Sequence, residues 1–361
     1  MDAHRDIEFG FVAASSGETS LTDGETYDEI LADCELGQEL GYGTAWMIEH
    51  HFSDYYPTPN PLAFLSFLAA RFPDLALGTC VLVTPWYEPL RLAEEIAQLN
   101  ALTKQPLHLG LGRGTAKMEY DAFGIDMDVS RGRFRECYEL LTRAFAGGRF
   151  TFEGEHLSVT KEIELRPRSN SSKIHFYGAL GASPESAGIM AEIGLTPICT
   201  TIFNFEKQHE VIASWHEKAA ARNLEQSNHI PLLIPCIVAD TDEQAVEHAK
   251  TFIPPFMQAQ VDHYEGDQDH FKNLETYKSW SHVFNSMLSK CNPESMPRWS
   301  QFQLVGSPET VCRQLDRYID CGFGNFILHI ATTGVPRAKR HDWMRRFAKD
   351  VAPRYSSKFP R

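Results

Sequence analysis

Short runs of β-forming residues alternate with amphipathic helical patterns along almost the whole chain. The first unit pairs "IEFGFVAA" with a helix from about Tyr27 to Leu40, and the second pairs "TAWMIEHH" with "NPLAFLSFLAARF". Such alternation is typical of βα units, in which consecutive strands lie parallel and each helix packs back onto the sheet. The pattern therefore predicts a parallel sheet covered by helices.

The number of units decides between the common parallel architectures. The remaining strand candidates are "LALGTCVLV", "PLHLGLG", "IHFYGAL", "TPICTTI", "IPLLIPCIVAD" and "FGNFILHIATTG", which brings the total to eight. Because no linker interrupts them, one (β/α)8 TIM barrel domain over residues 1–361 fits better than two sheets. We expect insertions after strand four, where "FTFEGEHLSV" resembles a hairpin, and after strand seven, over about residues 253–300.

Charge and cysteine usage narrow the class of partner. The chain carries 34 Lys and Arg against 48 Asp and Glu, a formal net charge of −14, which argues against nucleic-acid and membrane partners and favours a small molecule. The eight cysteines show no CxxC pairing, as expected for reduced thiols. Without a recognisable export signal or a long apolar run, the sequence predicts a cytoplasmic protein.

Strand two ends in Glu49, His50 and His51. The active site of a (β/α)8 barrel lies at the carboxyl ends of its strands, so these side chains are candidates for function. Side chains alternate along a strand, and at most one of the two histidines is expected to face the barrel axis. A metal site would need further ligands at recognisable spacing, and the pair supplies none. We therefore expect no metal, while a purely structural role for the histidines remains open.

Two later loops have features suited to a phosphate. In "LGLGRGTAKMEYDAFG", Arg113 lies between glycines, and its planar guanidinium suits a phosphate or a flavin edge, although a solvated surface arginine is the alternative. In "GALGASPESAG", Ser183 is the expected N-cap, followed by Pro184. With Ser186, it places hydroxyls at a helix N-terminus, where an anion is favoured.

Several motifs together resemble one family. "GYGTAWMIEHHF", "NPLAFLSFLAA", "LALGTCVLVTPWYEPLRLAEEIAQLNALT", "LHLGLGRG", "EYDAFGIDMDVSR" and "VGSPETVCRQLDRYIDCGFGNFILHI" look, in this order, like segments of the bacterial luciferase-like flavin monooxygenases. The resemblance implies a barrel, usually dimeric, that takes up FMN reduced by a separate flavin reductase. It further implies that reduced FMN and O2 form a C4a-peroxyflavin that oxygenates a small organic substrate, while the protein orients the reactants and excludes water.

The resemblance also implies site residues. His50 resembles the catalytic histidine, and its implied role is proton transfer to or from the reacting molecules, which suits a group that titrates near neutral pH. The bond between Cys80 and Val81 corresponds to a non-prolyl cis peptide that the family often has beneath the flavin. The implied cofactor contacts are Glu49, Cys80, Val81, Arg113, Glu119, Leu180, Gly181, Ala182, Ser183 and Ser186.

Alternatives to this function remain open. A deazaflavin-dependent hydride-transfer oxidoreductase would share the barrel, and a non-catalytic partner subunit of a luciferase-like heterodimer would share the fold without turnover. His50 and Arg113 argue against the latter, and we expect a homodimer. Gly112 and Thr201 stand where the luciferase large subunit has a reactive cysteine and a tryptophan, so substrate identity and light emission stay open. The block of residues 253–300 is either a lid over the substrate or a surface excursion.

Overall fold

Eight parallel strands close into a barrel in the computed structural model, which describes residues 7–15, 20–180, 184–201, 205–224, 229–266, 277, 280–330 and 332–359. The barrel strands are β1 (Glu8–Val12), β2 (Thr44–Met47), β3 (Ala76–Val83), β4 (Leu107–Gly112), β7 (Ile174–Ala179), β8 (Thr196–Thr200), β9 (Ile230–Val238) and β11 (Phe323–His329). The parallel pairing of β1 with β11 closes the ring. The predicted (β/α)8 barrel is therefore confirmed.

Helices connect the strands around the outside of the barrel. They are α1 (Asp23–Leu40), α2 (Pro61–Arg71), α3 (Pro89–Leu102), α4 (Lys117–Phe123), α5 (Ser130–Phe145), α6 (Pro184–Ile193), α7 (Phe205–Ala221), α8 (Asp242–His263), α9 (Trp280–Lys290), α10 (Met296–Ser300), α11 (Pro308–Asp320) and α12 (Arg337–Arg346). Across the described ranges, none of these helices combines the length and apolarity needed to cross a membrane.

Helix α1 begins earlier than the sequence pattern predicted. Its N-cap is Thr22, whose hydroxyl accepts the backbone N–H of Glu25, while the Glu25 carboxylate accepts the backbone N–H of Thr22 at 2.8 Å. This reciprocal pair is a capping box, which satisfies two otherwise unpaired donors at the helix start. The expected start near Tyr27 was wrong because it relied on apolar spacing and overlooked this polar signal.

Both predicted insertions lie where the sequence placed them. Strands β5 (Arg149–Glu153) and β6 (Ser158–Glu164) form the antiparallel hairpin that follows the fourth barrel strand. After β9, the chain forms α8, α9 and α10 before β10 (Leu304–Gly306), which pairs with β9. The described part of residues 253–300 is mainly helical, while residues 267–276, 278 and 279 lie outside the described residues. A lid role for this block stays a prediction.

Packing around Trp46 fixes the course of β2. Its indole is fully buried between the two neighbouring strands. A Cβ atom added at Gly10 of β1 would lie 2.7 Å from Nε1 of Trp46, and one at Gly78 of β3 would lie 2.5 Å from its Cε3. Only glycine leaves room for the indole at these two positions. The close packing anchors the strand that leads to residues 49–51.

Candidate active site

Glu119, on α4, lies at the centre of a buried cluster at the carboxyl end of β2. Its Oε1 atom accepts the backbone N–H of His51 at 2.7 Å, and it lies 3.4 Å from Nδ1 of His50 and 3.3 Å from Nε2 of His263. Glu119 is 1% exposed, His263 2% and His50 9%. Three segments that are distant in sequence therefore meet at one carboxylate oxygen.

The surroundings of Glu119 keep its carboxylate ionised. Burial alone would raise the pKa of Glu119, but the contacts from His263 and His50 outweigh it and lower the pKa to about 2. Because the group stays charged at neutral pH, it is an acceptor for an N–H on Nδ1 of His50. The carboxylate thereby favours the tautomer of His50 in which Nδ1 carries the proton.

His50 is a neutral base in this environment. Burial lowers its pKa to about 4, although the hydrogen bond to Glu119 acts in the opposite direction. With the proton on Nδ1, the basic nitrogen is Nε2, which lies 3.3 Å from the hydroxyl of Tyr264. Burial, which favours the uncharged imidazole, thus places the pKa of His50 below the near-neutral value that the family resemblance suggested.

Glu49 joins the carboxyl ends of β2 and β3. One carboxylate oxygen accepts the backbone N–H of Val83 at 2.8 Å, and the other accepts the hydroxyl of Tyr87 at 2.9 Å and lies 3.2 Å from Nε2 of His51. Burial raises the pKa of Glu49, and these contacts offset part of the rise. Both oxygens are engaged by protein groups, so a direct cofactor contact by Glu49 stays a prediction. The ring of His51 points to Glu49, whereas that of His50 points to Glu119.

The peptide bond between Cys80 and Val81 is cis, as the family resemblance implied. The Val81 side chain lies against β4, where a Cβ atom at Gly112 would be 2.4 Å from its Cγ2 atom and one at Gly110 would be 3.0 Å from Cγ1. The glycines of "LGLG" thus leave space for Val81. Burial raises the pKa of Cys80 to about 12, and its thiol is therefore protonated at neutral pH.

Arg113 directly follows β4, and the Tyr277 ring packs against its guanidinium. The guanidinium carbon lies 4.7 Å from the centre of the Tyr277 ring, a cation–π contact. The Tyr277 hydroxyl donates to the Gly114 carbonyl at 3.0 Å, and the Tyr120 hydroxyl donates to the Arg113 carbonyl. Among the described residues, nothing pairs with the buried Nη1 atom of Arg113. A half-buried guanidinium with a spare donor is suited to bind an anion.

The second predicted phosphate segment lies at the neighbouring strand end. Helix α6 begins at Pro184, with Ser186 in its first turn. The backbone N–H of Leu180, just after β7, donates to the Ile198 carbonyl at 3.0 Å. The other predicted contacts, Gly181, Ala182 and Ser183, lie outside the described residues. Because β4 and β7 pair with each other, the Arg113 loop and the α6 N-terminus share one region of the barrel rim.

A cavity of about 70 Å³ is lined in part by Tyr55 and Tyr56, whose rings pack against that of His50. Its wall includes Tyr55, Tyr56, Phe256 and His329, and the Tyr56 hydroxyl lies 2.7 Å from Nε2 of His329. Since a buried water needs at least about 10–15 Å³, the space can hold several waters or a small organic group. His329 is buried and lines this cavity.

His263 is the main component of the site that the sequence analysis missed. It is the last residue of α8, and neither spacing nor a local motif connects it to His50. The ligand atoms of His50, Glu119 and His263 lie within 4.8 Å of one another, a grouping that can also hold a metal ion. Because Oε1 already accepts the His51 N–H and faces both imidazoles, we interpret the cluster as a hydrogen-bonding network.

The buried cluster around Glu119 and the spare Nη1 atom of Arg113 lie at the carboxyl ends of the barrel strands, where enzymes of this fold carry their active sites. The family model of the luciferase-like monooxygenases matches residues 7–324. The chain belongs to the luciferase-like monooxygenase family, whose members are flavin-binding oxidoreductases.

Several curated proteins are similar in sequence to the chain. The protein y4vJ of Sinorhizobium fredii is 35% identical over 124 residues, which cover 34% of this chain and 35% of the relative. The alkanal monooxygenase alpha chain of the Kryptophanaron alfredi symbiont is 24% identical over 222 residues, 62% of each chain. The matches therefore span about one third to three fifths of these relatives. The oxygenase component of the flavin-dependent trigonelline monooxygenase of Acinetobacter baylyi is 23% identical over 353 residues, 96% of this chain and 94% of that protein.

Solved structures share the fold. The monooxygenase RslO1 from Streptomyces bottropensis superposes with a TM-score of 0.81 at 23% identity, covering 97% of this chain and 100% of that one. The oxygenating constituent of 3,6-diketocamphane monooxygenase from Pseudomonas putida, in complex with FMN, superposes with a TM-score of 0.73 at 16% identity. The match covers 96% of this chain and 98% of that one. An F420-dependent secondary alcohol dehydrogenase superposes with a TM-score of 0.72 at 14% identity, and the match covers 98% of this chain and 100% of that one. At these identities, the likeness shows the fold alone.

Proposed function

We propose that the protein is a two-component monooxygenase that uses FMN, reduced by a separate flavin reductase, and O2 to oxygenate a small organic substrate. Reduced FMN would supply the electrons that activate O2. The proposal includes a homodimer, as the family resemblance implies. It is supported by the family membership and by relatives described as flavin-dependent or as FMN complexes.

The observation that carries the proposal is the unpaired Nη1 atom of Arg113 at the barrel rim. A phosphate bound there would receive charge-assisted hydrogen bonds from a guanidinium held in place by the Tyr277 ring. The N-terminus of α6, with Ser186, would add backbone donors and a favourable helix dipole. We assign the flavin phosphate to Arg113, Ser183 and Ser186, and the ring system to the region of Leu180, Gly181 and Ala182 and of Cys80 and Val81.

His50 is assigned the proton-transfer step. Its Nε2 atom would accept a proton from the reacting molecule, and the Glu119 carboxylate beside Nδ1 would stabilise the resulting imidazolium. The cavity lined by Tyr55 and Tyr56, which pack against the His50 ring, would hold the substrate and exclude water from it. A non-catalytic subunit would have no use for this arrangement, which favours an enzyme.

Deazaflavin-dependent hydride transfer is the second candidate function. The observation in its favour is the fold likeness to an F420-dependent secondary alcohol dehydrogenase, with a TM-score of 0.72. Flavin and deazaflavin both carry a phosphate on a ribityl chain, so Arg113 would serve either. The distinction therefore requires a direct comparison of the two reduced cofactors.

Binding of reduced FMN tests the proposed function. Titrated without oxygen, the protein should bind reduced FMN more tightly than reduced F420, and when oxygen is admitted the bound FMN should consume O2 at a rate different from that of free reduced FMN. Tighter binding of F420 with no O2 consumption would support the second candidate. No binding of either cofactor would contradict both.

Replacing Arg113 by methionine should weaken binding of reduced FMN about 10-fold to 100-fold, because a hydrogen bond to a charged group contributes about 1.5–3 kcal/mol. Isothermal titration without oxygen measures this loss. The matched control is Arg135→Met, since Arg135 is an exposed arginine on α5 that pairs with Glu139. Equal affinities for the Arg113 and Arg135 variants would remove Arg113 from the phosphate site.

Turnover should be nearly independent of pH in the neutral range. His50 must be unprotonated to act as a base, and its pKa of about 4 keeps it so well below pH 7. Initial rates of product formation, measured at saturating reduced FMN between pH 8 and 6, check this expectation. A fall of about 10-fold toward pH 6 would instead indicate a base with a near-neutral pKa.

A further inference from the structure

We propose that His263 is a positioning residue for the proton-transfer step and that Ser53 holds its ring in place. In this arrangement His263 donates to Glu119, so that the carboxylate remains an ionised acceptor for His50. The inference rests on the proposed function, because it takes His50 as the base at the reacting centre. It assigns a role to His263, which the proposed chemistry does not otherwise use, and to Ser53, in the loop after β2.

The contacts lead from the loop after β2 to the base. The backbone N–H of Tyr55 donates to the hydroxyl oxygen of Ser53 at 3.3 Å, and this oxygen lies 2.7 Å from Nδ1 of His263. On the other side of the ring, Nε2 of His263 lies 3.3 Å from Oε1 of Glu119. The same oxygen lies 3.4 Å from Nδ1 of His50. His263 therefore lies between Ser53 and the carboxylate that faces the base.

The charge of Glu119 determines which nitrogen of His263 carries the proton. An ionised carboxylate only accepts hydrogen bonds, so a lone pair on Nε2 would face it at 3.3 Å with electrostatic repulsion. The His263 contact instead lowers the pKa of Glu119, as a donor does. Because the ring N–H is not aimed straight at Oε1, the attraction is mainly electrostatic. We therefore assign the ring proton to Nε2, and the lone pair of Nδ1 accepts the Ser53 hydroxyl.

A donor from His263 keeps Glu119 in the charge state that His50 needs. Burial alone would favour the protonated carboxyl, and the His263 contact opposes it. A protonated Glu119 would itself donate to Nδ1 of His50, and the proton of the imidazole would then lie on Nε2. Because Nε2 is the atom assigned to accept a proton, His50 could no longer act as the base. His263 thus acts on the reaction through Glu119 and does not itself exchange a proton.

The anchoring of the His263 ring is shared between a buried and a half-buried contact. His263 is 2% exposed and Glu119 1%, whereas Ser53 is half-buried in the loop that follows β2. The Ser53 hydroxyl satisfies Nδ1, which would otherwise be a buried acceptor without a partner among the described residues. It thereby fixes the rotation of the ring that places Nε2 next to the carboxylate. Loss of this hydroxyl should weaken the contact between His263 and Glu119 without removing it.

Other titratable groups surround His263 and Glu119. In the described part of the chain they are His50, His51 and Tyr55 from the segment after β2, and Tyr264 directly after α8. Burial raises the pKa of both tyrosines above the ordinary value of 10, so their hydroxyls stay neutral. Burial also lowers the pKa of His50 to about 4, which keeps its ring neutral near pH 7. Glu119 is therefore the group whose charge the His263 contact maintains.

Nitrogen-15 NMR of histidine-labelled, flavin-free protein tests the assigned tautomers directly. At neutral pH we expect the proton of His263 on Nε2 and that of His50 on Nδ1, so that the two rings show opposite tautomers. Spectra of His263→Gln and His50→Asn assign the signals. A His263 ring that carries a proton on Nδ1 would overturn the proposal. This measurement needs no cofactor, so its outcome is independent of whether the protein uses FMN.

The pH profile of product formation with reduced FMN provides the second test. His263→Leu removes the donor, so the pKa of Glu119 should rise and the rate at pH 7 should fall about 10-fold or more. The rate of this variant should fall further from pH 8 to 6, because Glu119 takes up a proton as the pH decreases. His263→Gln, whose amide can still donate to Glu119, should keep the flat profile. In both variants the dissociation constant of reduced FMN should stay within about 2-fold.

Ser53 variants separate the hydroxyl from the bulk of the side chain. Ser53→Ala should slow product formation about 3-fold, the effect of one neutral hydrogen bond, and Ser53→Thr, which keeps the hydroxyl, should restore the rate. The matched control is Ser66→Ala, which removes a half-buried hydroxyl that donates to the Leu62 carbonyl on α2.

A pH profile of His263→Leu as flat as that of the unmodified protein would overturn the proposal, because a merely structural loss lowers the rate equally at every pH. Absence of turnover in the unmodified protein would instead count against the proposed function. The NMR measurement would then decide the orientation of His263 by itself.

Discussion

Replacement of His50 by asparagine is expected to lower turnover at neutral pH by about 100-fold to 10,000-fold, the usual contribution of a positioned general acid or base. The asparagine amide can still donate toward Glu119, as Nδ1 of His50 does at 3.4 Å. It has no nitrogen that can take up a proton in the place of Nε2. The variant therefore removes the proton transfer and preserves the contact that organises the cluster.

In this variant the rate of product formation should fall while the affinity for reduced FMN is nearly unchanged. Because the phosphate is assigned to the Arg113 side of the rim, the dissociation constant of reduced FMN should stay within about 2-fold, while the rate of product formation falls. The control is His209→Asn, a change at an exposed histidine of α7. Unchanged turnover in the His50 variant would remove this residue from the mechanism, and loss of FMN binding would show that His50 is needed for the cofactor site instead.

The fold and the position of the site were predictable because both follow from local patterns. Alternating strands and helices identified all eight barrel strands, and the barrel rule then directed attention to residues that follow them, such as His50 after β2 and Arg113 after β4. The cis bond at Cys80 and Val81 came from the family resemblance alone. Nothing in the composition of "LGTCV" would have indicated it.

The parts of the site that were missed come from long-range packing. His263 lies on a helix after the seventh barrel strand, and its contact with Glu119 exists only because that helix crosses the carboxyl end of the barrel. The low pKa of His50 has the same origin, because the burial that causes it is contributed by groups such as Tyr55 and His263, whose rings lie within 4.9 Å of the His50 ring centre. Sequence spacing predicts neither the contact between His263 and Glu119 nor the low pKa of His50. Both depend on how distant segments pack around the carboxyl end of β2.

Buried neutral histidines should make the fold sensitive to acid. Burial lowers the pKa of His108, on β4, to about 3 and that of His50 to about 4, both from the ordinary value of 6.5. Below pH 6.5 the unfolded chain binds protons at these positions and the folded chain does not, so stability is highest above this pH and falls as pH decreases toward 4. Each histidine lowers the free energy of unfolding by up to about 1.4 kcal/mol for each pH unit of acidification.

Two such groups can remove roughly 5–7 kcal/mol of unfolding free energy between pH 6.5 and 4, which is comparable to the whole stability of many domains. Urea unfolding at pH 7, 6 and 5 measures the slope of the unfolding free energy against pH. The variant His108→Gln, whose amide can still reach the Tyr177 hydroxyl that lies 3.1 Å from Nδ1, should have a slope shallower by about 1.4 kcal/mol per pH unit. The exposed change His209→Gln should leave the slope unchanged. If His108→Gln loses stability with pH as steeply as the unmodified protein, the acid sensitivity arises elsewhere, because glutamine has no proton to gain in the unfolded chain.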